Sequence, residues 1–273
     1  MRIPFVKLHG ARNDFLLTLT EDAPPADDFP EVAVAICNRY TGVGADGWML
    51  VDTGSGPGYD ASIRLFNSDG SEPELSGNGT RCAAALLARM RPHAKDFRIR
   101  TGAGIKHLHL VGRNGLEFEF EMNMGEIRVV ELHATVQGRD AVIVDAGNPQ
   151  CAMPVEDFGF DWRALGAAVE RDSRFPNRTN VSFFRRVDEH TIDVRFWERG
   201  AGETNSSGTG STGAAAAALA RGMVKSPVTA ETPAGPLVLR FPPGPDSGAG
   251  VKLTGPAEFV AEGVYLYGRM GAE

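Results

Sequence analysis

Residues 195–221 read R-F-W-E-R-G-A-G-E-T-N-S-S-G-T-G-S-T-G-A-A-A-A-A-L-A-R, and residues 64–85 have already written a version of it, R-L-F-N-S-D-G-S-E-P-E-L-S-G-N-G-T-R-C-A-A-A. Laid over one another, Arg64 falls on Arg195, Asn67 on Glu198, Ser76 on Ser207, Gly77 on Gly208 and Gly79 on Gly210. The runs Ala83–Ala85 and Ala214–Ala216 coincide, giving a shared core S-G-x-G-[ST]-x-x-A-A-A. Leu65-Phe66 and Phe196-Trp197 are short apolar runs of the kind that end strands. The glycines permit positive φ and close backbone approach, and the alanine run is a strong helix former. Each copy therefore predicts strand, polar turn, glycine-rich loop and helix. The unpaired N–H groups at such a helix start attract an anion such as a carboxylate. One such loop is only a sharp turn. Two in register predict two similar domains facing one cleft, each offering a serine hydroxyl and a helix N-terminus.

Composition narrows the class. The 273 residues, 42% hydrophobic and 23% charged, suffice for a real core and for two domains of ordinary size. The net charge of −7 and the lack of a basic block argue against a nucleic-acid partner. No apolar run reaches the length of a membrane span, and M-R-I-P-F-V-K reads straight into structure without a signal-peptide pattern. A cytoplasmic protein is the expectation. The three cysteines, Cys37, Cys82 and Cys151, are scattered and predict neither a disulfide framework nor a zinc site. His107 and His109 alternate in K-H-L-H-L-V, which reads as one solvated strand face rather than a metal pair.

Along the chain, residues 3–19 predict two strands around a polar turn at His9–Asp14, with Gly10, Asn13 and Asp14 as turn residues. Helices are expected over Glu31–Arg39 and Asp161–Arg171. A buried strand is expected after T-G-V-G-A-D-G, strands over 141–144 and 191–197, and a turn then a strand over 175–184. Alternating antiparallel strands are expected over 96–121. T-P-A-G-P-L-V-L-R-F, a proline- and glycine-rich loop and two final strands follow. Composition marks no linker, so the boundary near residue 120 follows from the duplication.

K-L-H-G-A-R-N-D-F, R-Y-T-G-V-G-A-D-G, R-L-F-N-S-D-G-S-E, G-N-G-T-R-C, G-N-P, F-P-N-R-T-N-V, E-R-G-A-G-E-T and T-P-A-G stand in this order along nearly the whole chain. As an ordered set they resemble the diaminopimelate epimerase family. The resemblance implies an α/β (α+β) fold of two pseudo-symmetric domains, each a mostly antiparallel sheet wrapped around a central helix. It places the N-terminal domain at 1–120, completed by the last strand at about 262–273, and the C-terminal domain at 121–261. It implies a cofactor-independent, metal-free isomerase of amino-acid metabolism, in lysine biosynthesis. A small amino-acid or carboxylate substrate is the partner, and a homodimer is left open.

The family uses one cysteine per domain to remove an α-proton from one face and return a proton to the other. Ser76 and Ser207 occupy those positions here. A thiol lies near ~8.5 and falls further at a helix N-terminus. A serine hydroxyl is a far weaker acid and needs a partner base. Two serines alone predict negligible α-proton exchange on diaminopimelate, while leaving binding intact. The resemblance carries Asn13, Asn67, Asn148, Asn180, Glu198 and Arg199 over as the polar set that holds the substrate. It also carries the backbone N–H groups of Gly77-Asn78 and Gly208-Thr209, suited to a carboxylate and its enediolate-like intermediate. Gln150 stands where the family usually has histidine.

The alternatives are an impaired homologue or binding pseudoenzyme, a Cys-to-Ser variant of an active epimerase, or an isomerase with a carboxylate base. For the last, Glu203 ranks first beside Glu72, Glu74 and Asp69. A serine hydrolase is disfavoured, because N-S-S-G-T-G is not G-x-S-x-G and neither glycine-rich loop holds a histidine.

Overall fold

The computed structural model describes residues 1–54, 56–73, 75–243 and 250–268. The chain divides into two compact units, Met1–Glu121 with the segment from Pro256 onward, and Met122–Gly255. The return to the first unit thus begins at Pro256, where the sequence had suggested about 262.

In the first unit, β1 (Arg2–Gly10) and β2 (Asn13–Leu19) form a hairpin, followed by α1 (Phe29–Cys37), β3 (Gly47–Asp52), β4 (Ala61–Asn67) and α2 (Gly77–Met90). Then come β5 (Asp96–Thr101), β6 (Gly104–Asn114) and β7 (Glu117–Asn123), which crosses the unit boundary. β2–β3 and β4–β5 pair in parallel, each across a helix, while β1–β2, β3–β4 and β5–β6 are antiparallel. The second unit repeats this plan with β8 (Arg128–Val136), β9 (Arg139–Asp145), β10 (Pro149–Pro154), α3 (Trp162–Glu170), β11 (Asn180–Arg186), β12 (Thr191–Glu198), β13 (Gly202–Thr204), α4 (Gly208–Ala220), β14 (Val228–Thr232) and β15 (Gly235–Arg240). Here β10–β11 and β12–β14 are the parallel pairs, and β9–β10, β11–β12 and β14–β15 are antiparallel. The duplication legible in two loops therefore extends to strand order and pairing sense.

Each unit is built around its alanine-rich helix. α2 is buried continuously from Asn78 to Ala88 and α4 from Gly210 to Ala218. A helix apolar on every side belongs in a core. The small side chains let the sheet approach closely. A Cβ on Gly79 would lie 2.7 Å from Met49 Cε, and one on Gly210 would lie 2.8 Å from Phe196 Cδ1. Neither glycine has positive φ, so close approach is their reason. α1 packs a separate cluster of Phe29, Val32, Ile36, Trp48 and Phe66 in the first unit, and α3 packs Trp162 and Val169 with Met153 and Phe183 in the second.

Three expectations need correction. α1 starts at Phe29, earlier than Glu31, because Pro30 sits in the first turn, where its missing N–H costs nothing. β8 and β10 were not anticipated; G-N-P-Q read as the end of a strand, yet Pro149 opens one that pairs on both sides. The two final strands are one, β16 (Lys252–Leu266). Its Gly255-Pro256 step looks like a turn, but pairing passes there from β15, at 252–254, to β1, at 258–266. Proline is tolerated where it interrupts no ladder. His107 and His109 are exposed on β6 around buried Leu108, as the alternation implied. Among the described residues, no helix is long and apolar enough to cross a membrane.

Trp48 is fully buried and donates its indole N–H to Thr18 Oγ1 at 2.9 Å. Trp48→Ala should cost about 3–5 kcal/mol of unfolding free energy, measured by urea denaturation followed by far-UV circular dichroism; a loss below 1 kcal/mol would mean that this cluster is not the core of the first unit.

Candidate active site

Both glycine-rich loops end on a serine that caps a buried helix. Ser76 precedes α2 with φ −127° and ψ 119°, and Ser207 precedes α4 with φ −140° and ψ 120°. Each Oγ accepts the N–H of the glycine three residues on, Gly79 or Gly210, at 3.1 Å. This is N-capping. It leaves the Gly77-Asn78 and Gly208-Thr209 N–H groups in the first turn, where a helix has no acceptor for them.

In the first unit the site is a directed chain of amides. The Arg81 guanidinium donates to Asn78 Oδ1; Asn78 Nδ2 donates to Asn13 Oδ1 at 3.3 Å; Asn13 Nδ2 donates to Asp46 Oδ2 at 2.7 Å. Asp46 is held in turn by the Asp14 N–H at 3.1 Å and by Arg39 at 2.8 Å. Asp14 is a carboxylate at neutral pH: burial favours the acid form, but hydrogen bonds from Arg39 and Lys7 outweigh it and hold the group below its ordinary value. Asn13 and Asp14 are strand residues rather than turn residues. The turn is Ala11-Arg12, both at positive φ, which is the two-residue primed geometry of a hairpin. Asn67 stands apart from this chain. It ends β4 and donates to Ser71 Oγ at 3.0 Å. A cavity of about 470 Å³ opens beside Ser76, lined also by Arg64, Glu72 and Arg100.

In the second unit a carboxylate joins the serine. Ser207 Oγ donates to Glu198 Oε2 at 2.9 Å, and Thr204 Oγ1 donates to Glu198 Oε1 at 2.6 Å. Burial pushes the Glu198 carboxyl above its ordinary value, and the two hydroxyls pull it back only in part. Asn148 Nδ2 donates to Thr209 Oγ1 at 3.4 Å, and Asn148 Oδ1 accepts from Gln150 Nε2 at 2.6 Å. Gln150 is fully buried, so it bears on the site through Asn148. Asn180 accepts the Arg199 N–H at 3.0 Å and donates to Pro149 O at 3.2 Å. The exposed Arg199 guanidinium donates to Asn177 O at 3.2 Å, which leaves most of its donors for a ligand.

The carboxylates named as candidate bases fare differently. Glu203 is engaged by Arg163 at 2.5 and 2.7 Å, Glu72 by Arg64 at 2.8 Å through both oxygens, and Asp69 by Ser71. Glu74 lies outside the described residues. Among the described residues Glu198 is the carboxylate hydrogen-bonded to a helix-capping serine, and it displaces Glu203 from first rank. The signal was in the register: Asn67 falls on Glu198. None of the cysteines substitutes for the missing thiols. Cys37, Cys82 and Cys151 are buried, and burial pushes each up to about 12.

The family described as diaminopimelate epimerase matches residues 5–130 and 142–260. The chain belongs to the diaminopimelate epimerase family. A diaminopimelate epimerase of Pelotomaculum thermopropionicum is 36% identical over 96% of this chain and 99% of its own length. One of Pseudomonas fluorescens is 37% identical over the same shares. Among solved structures, a Bacillus anthracis phenazine biosynthesis protein of the PhzF family superposes with a TM-score of 0.73 at 16% identity, covering 98% of this chain and all of that one. A hydroxyproline epimerase from Agrobacterium vitis gives 0.67 at 15%, covering 96% and 90%. These two likenesses are ones of fold. Membership makes the chain one of an epimerase-type isomerase family.

Sequence reasoning missed Glu170. This 3%-exposed carboxylate at the end of α3 braces the E-R-G-A-G turn, accepting Trp197 Nε1 at 3.0 Å and the Gly200 N–H at 2.7 Å, with Arg178 alongside. Burial alone would raise its proton affinity, but these partners hold it below the ordinary value. A depressed carboxyl stabilises the fold above its unfolded value, near 4.3, and that stabilisation is lost as pH falls through the folded value. Glu170→Gln should lower stability at pH 7 by about 1–3 kcal/mol and flatten the loss on acidification below about pH 4.5, as read by urea melts across pH. An unchanged acid limb would mean that Glu170 does not carry it.

Proposed function

We propose that the chain is a cofactor-independent isomerase that labilises the C–H bond beside the carboxylate of a small amino-acid-like substrate. Glu198, hydrogen-bonded to Ser207, acts on the reacting carbon as the proton acceptor. The hydrogen bond between Ser207 and Glu198 carries this reading. A lone serine would have to become an alkoxide to accept a proton. A serine bonded to a half-buried carboxylate need not. Glu198 takes the proton, directly or through Ser207 Oγ, and its raised proton affinity brings it closer to the working pH, where general acid–base catalysis is most efficient.

The other groups fit the same substrate class. The first-turn N–H groups of α4, beside Ser207, suit the α-carboxylate and the enediolate that forms when the proton leaves. Arg199, with Asn148, Asn180 and Asn67, suits a second polar end of the substrate, since a guanidinium grips a carboxylate through two parallel bonds. Asn13 and Asn78 each keep one amide hydrogen beyond those they spend on the chain from Arg81 to Asp46, and so offer donors to acceptor oxygens. Diaminopimelate, named by the curated relatives, has an amino acid at each end and is the first substrate to try. A cytoplasmic setting belongs to the same reading.

Incubation with diaminopimelate in deuterated water, followed by proton NMR, tests it. Slow loss of the α-proton signal is expected. Glu198→Gln should reduce the rate by about 10²-fold or more, with little change in affinity by calorimetry. Ser76→Cys together with Ser207→Cys should raise it by about 10²–10⁴-fold. Exchange unaffected by Glu198→Gln would remove Glu198 as the base. Absence of exchange from both the serine and the double-cysteine forms would mean that the pocket takes another substrate, with Gln150 the next position to change.

A further inference from the structure

The hairpin that carries Glu198 lies between two helices of the second unit. β12 and β13 pair Phe196 with Thr204, Trp197 with Glu203 and Glu198 with Gly202. Successive strand residues point to opposite faces, and cross-strand partners share a face. Phe196 and Glu198 point to α4: a Cβ on Gly210 would lie 2.8 Å from Phe196 Cδ1, and Glu198 accepts the hydroxyl of the capping Ser207. Trp197 points the other way, to α3, where a Cβ on Gly166 would lie 2.7 Å from Trp197 Cβ. Glu203 stands on that face too, beside Trp197.

α3 meets the hairpin along one stripe. Arg163, Gly166 and Glu170 stand at i, i+3 and i+7, on one side of the helix. Arg163 donates to both Glu203 oxygens, at 2.5 and 2.7 Å. Gly166 lets the helix close on Trp197. Glu170 accepts the Trp197 indole N–H on Oε2 at 3.0 Å and the Gly200 N–H on Oε1 at 2.7 Å. From β11, Asn180 Oδ1 holds the Arg199 N–H at 3.0 Å. Positions 197, 199, 200 and 203 are thus tied, with Glu198 among them. Glu170 itself is buried, with Arg178 as its ion-pair partner and the positive charge of Arg171 also acting on it. A charge taken out of water is costly unless its bonds are satisfied, and two of the bonds that satisfy this one belong to the hairpin.

We infer that α3 is a brace for the β12–β13 hairpin, with Glu170 its positioning residue: it holds Glu198 against α4, and so keeps that carboxylate half-buried and bonded to Ser207. This rests on the proposed function, in which Glu198 is the proton acceptor, and adds the groups that place it. Glu203 is then a strut of the brace rather than a base.

Two influences on the Glu198 carboxyl oppose one another. Burial raises its proton affinity and is the larger, while the Thr204 and Ser207 hydroxyls lower it. A hairpin freed from α3 admits water to the carboxyl, so its proton affinity falls toward the ordinary value. Removing the Ser207 hydroxyl alone acts in the opposite direction.

Glu170→Gln and Gly166→Ala test the brace by separate routes. Glutamine turns one of the two accepting oxygens into an NH2 donor. Alanine favours the helix, but its Cβ would crowd the Trp197 backbone, so the hairpin must give. The Glu198 carboxyl is titrated in each variant by NMR of isotope-labelled glutamate carboxyls, with Glu198→Gln assigning the signal. Both variants should shift its midpoint downward, toward the ~4.3 of an unperturbed glutamate. A helix that only packs would leave the midpoint of the folded protein in place. Exchange of the diaminopimelate α-proton in deuterated water should fall as well, by up to about 10²-fold, with affinity by calorimetry little changed. An unmoved midpoint in both variants would overturn the brace. So would a rise, which would mean that the carboxyl stays in place and loses only a hydroxyl. A downward shift in a protein that exchanges no α-proton would uphold the brace and remove the proposed function.

Discussion

Two helices buried along most of their length must be closed at their N-termini, and Ser76 and Ser207 do that before they do anything chemical. α2 and α4 are buried along most of their length. Their first-turn N–H groups have no acceptor within the helix, and each serine Oγ supplies one. Serine is among the best residues at this position, and a good cap is worth about 0.5–2 kcal/mol over a non-capping side chain. Cysteine, which the family places here, is a weaker acceptor but a far better proton carrier. The serines hold both helix starts in their sites and give up most of the acid–base chemistry. What remains of that chemistry depends on whether a carboxylate stands beside the cap.

Among the described residues such a carboxylate, hydrogen-bonded to the capping serine, is found once, at Glu198. The two units share strand order, pairing sense, central helix and capping serine, so the difference between Asn67 and Glu198 stands out against an otherwise common plan. Burial makes Glu198 a stronger proton acceptor than a surface glutamate, and the hydroxyls of Thr204 and Ser207 aim both its oxygens. Asn67, at the matching end of β4, stabilises its own turn instead. A symmetric scaffold thus carries an asymmetric pair of acid–base groups. The polar positions around them fall into separate chains, Arg81 through Asn78 and Asn13 to Asp46 in one unit, and Gln150 through Asn148 to Thr209 in the other. Each chain fixes which end of its amides is a donor, and so which groups are left for a ligand.

Much of this was legible in the sequence because the duplication wrote it twice. The capping serines, the buried alanine helices, the strand ends at Asn67 and Glu198 and the fold class followed from two registered loops and the ordered motifs. Less legible was what depends on side-chain direction. Glu203 and Glu198 both stand in E-R-G-A-G-E-T, and only coordinates show that Arg163 takes one while Ser207 takes the other. Glu170 sits in a helix far from any motif, and its role appears only when α3 is packed against β12. The last strand read as two because local propensity carries no knowledge of where a strand changes partners. Asn13 looked like a turn residue because the primed turn at Ala11-Arg12 uses neither glycine nor asparagine, the usual markers of that geometry.

The central claim is that Glu198 is a half-buried proton acceptor hydrogen-bonded to Ser207, and direct titration of its carboxyl tests it most closely. Isotope-edited infrared spectroscopy of protein labelled at glutamate side-chain carboxyls, with Glu198→Gln assigning the band, would follow that group across pH. The account predicts protonation above the ordinary glutamate range, and a further rise in Ser207→Ala, which removes a hydroxyl that favours the charged form. A Glu198 that titrates like a surface glutamate, or one indifferent to the loss of Ser207, would contradict it.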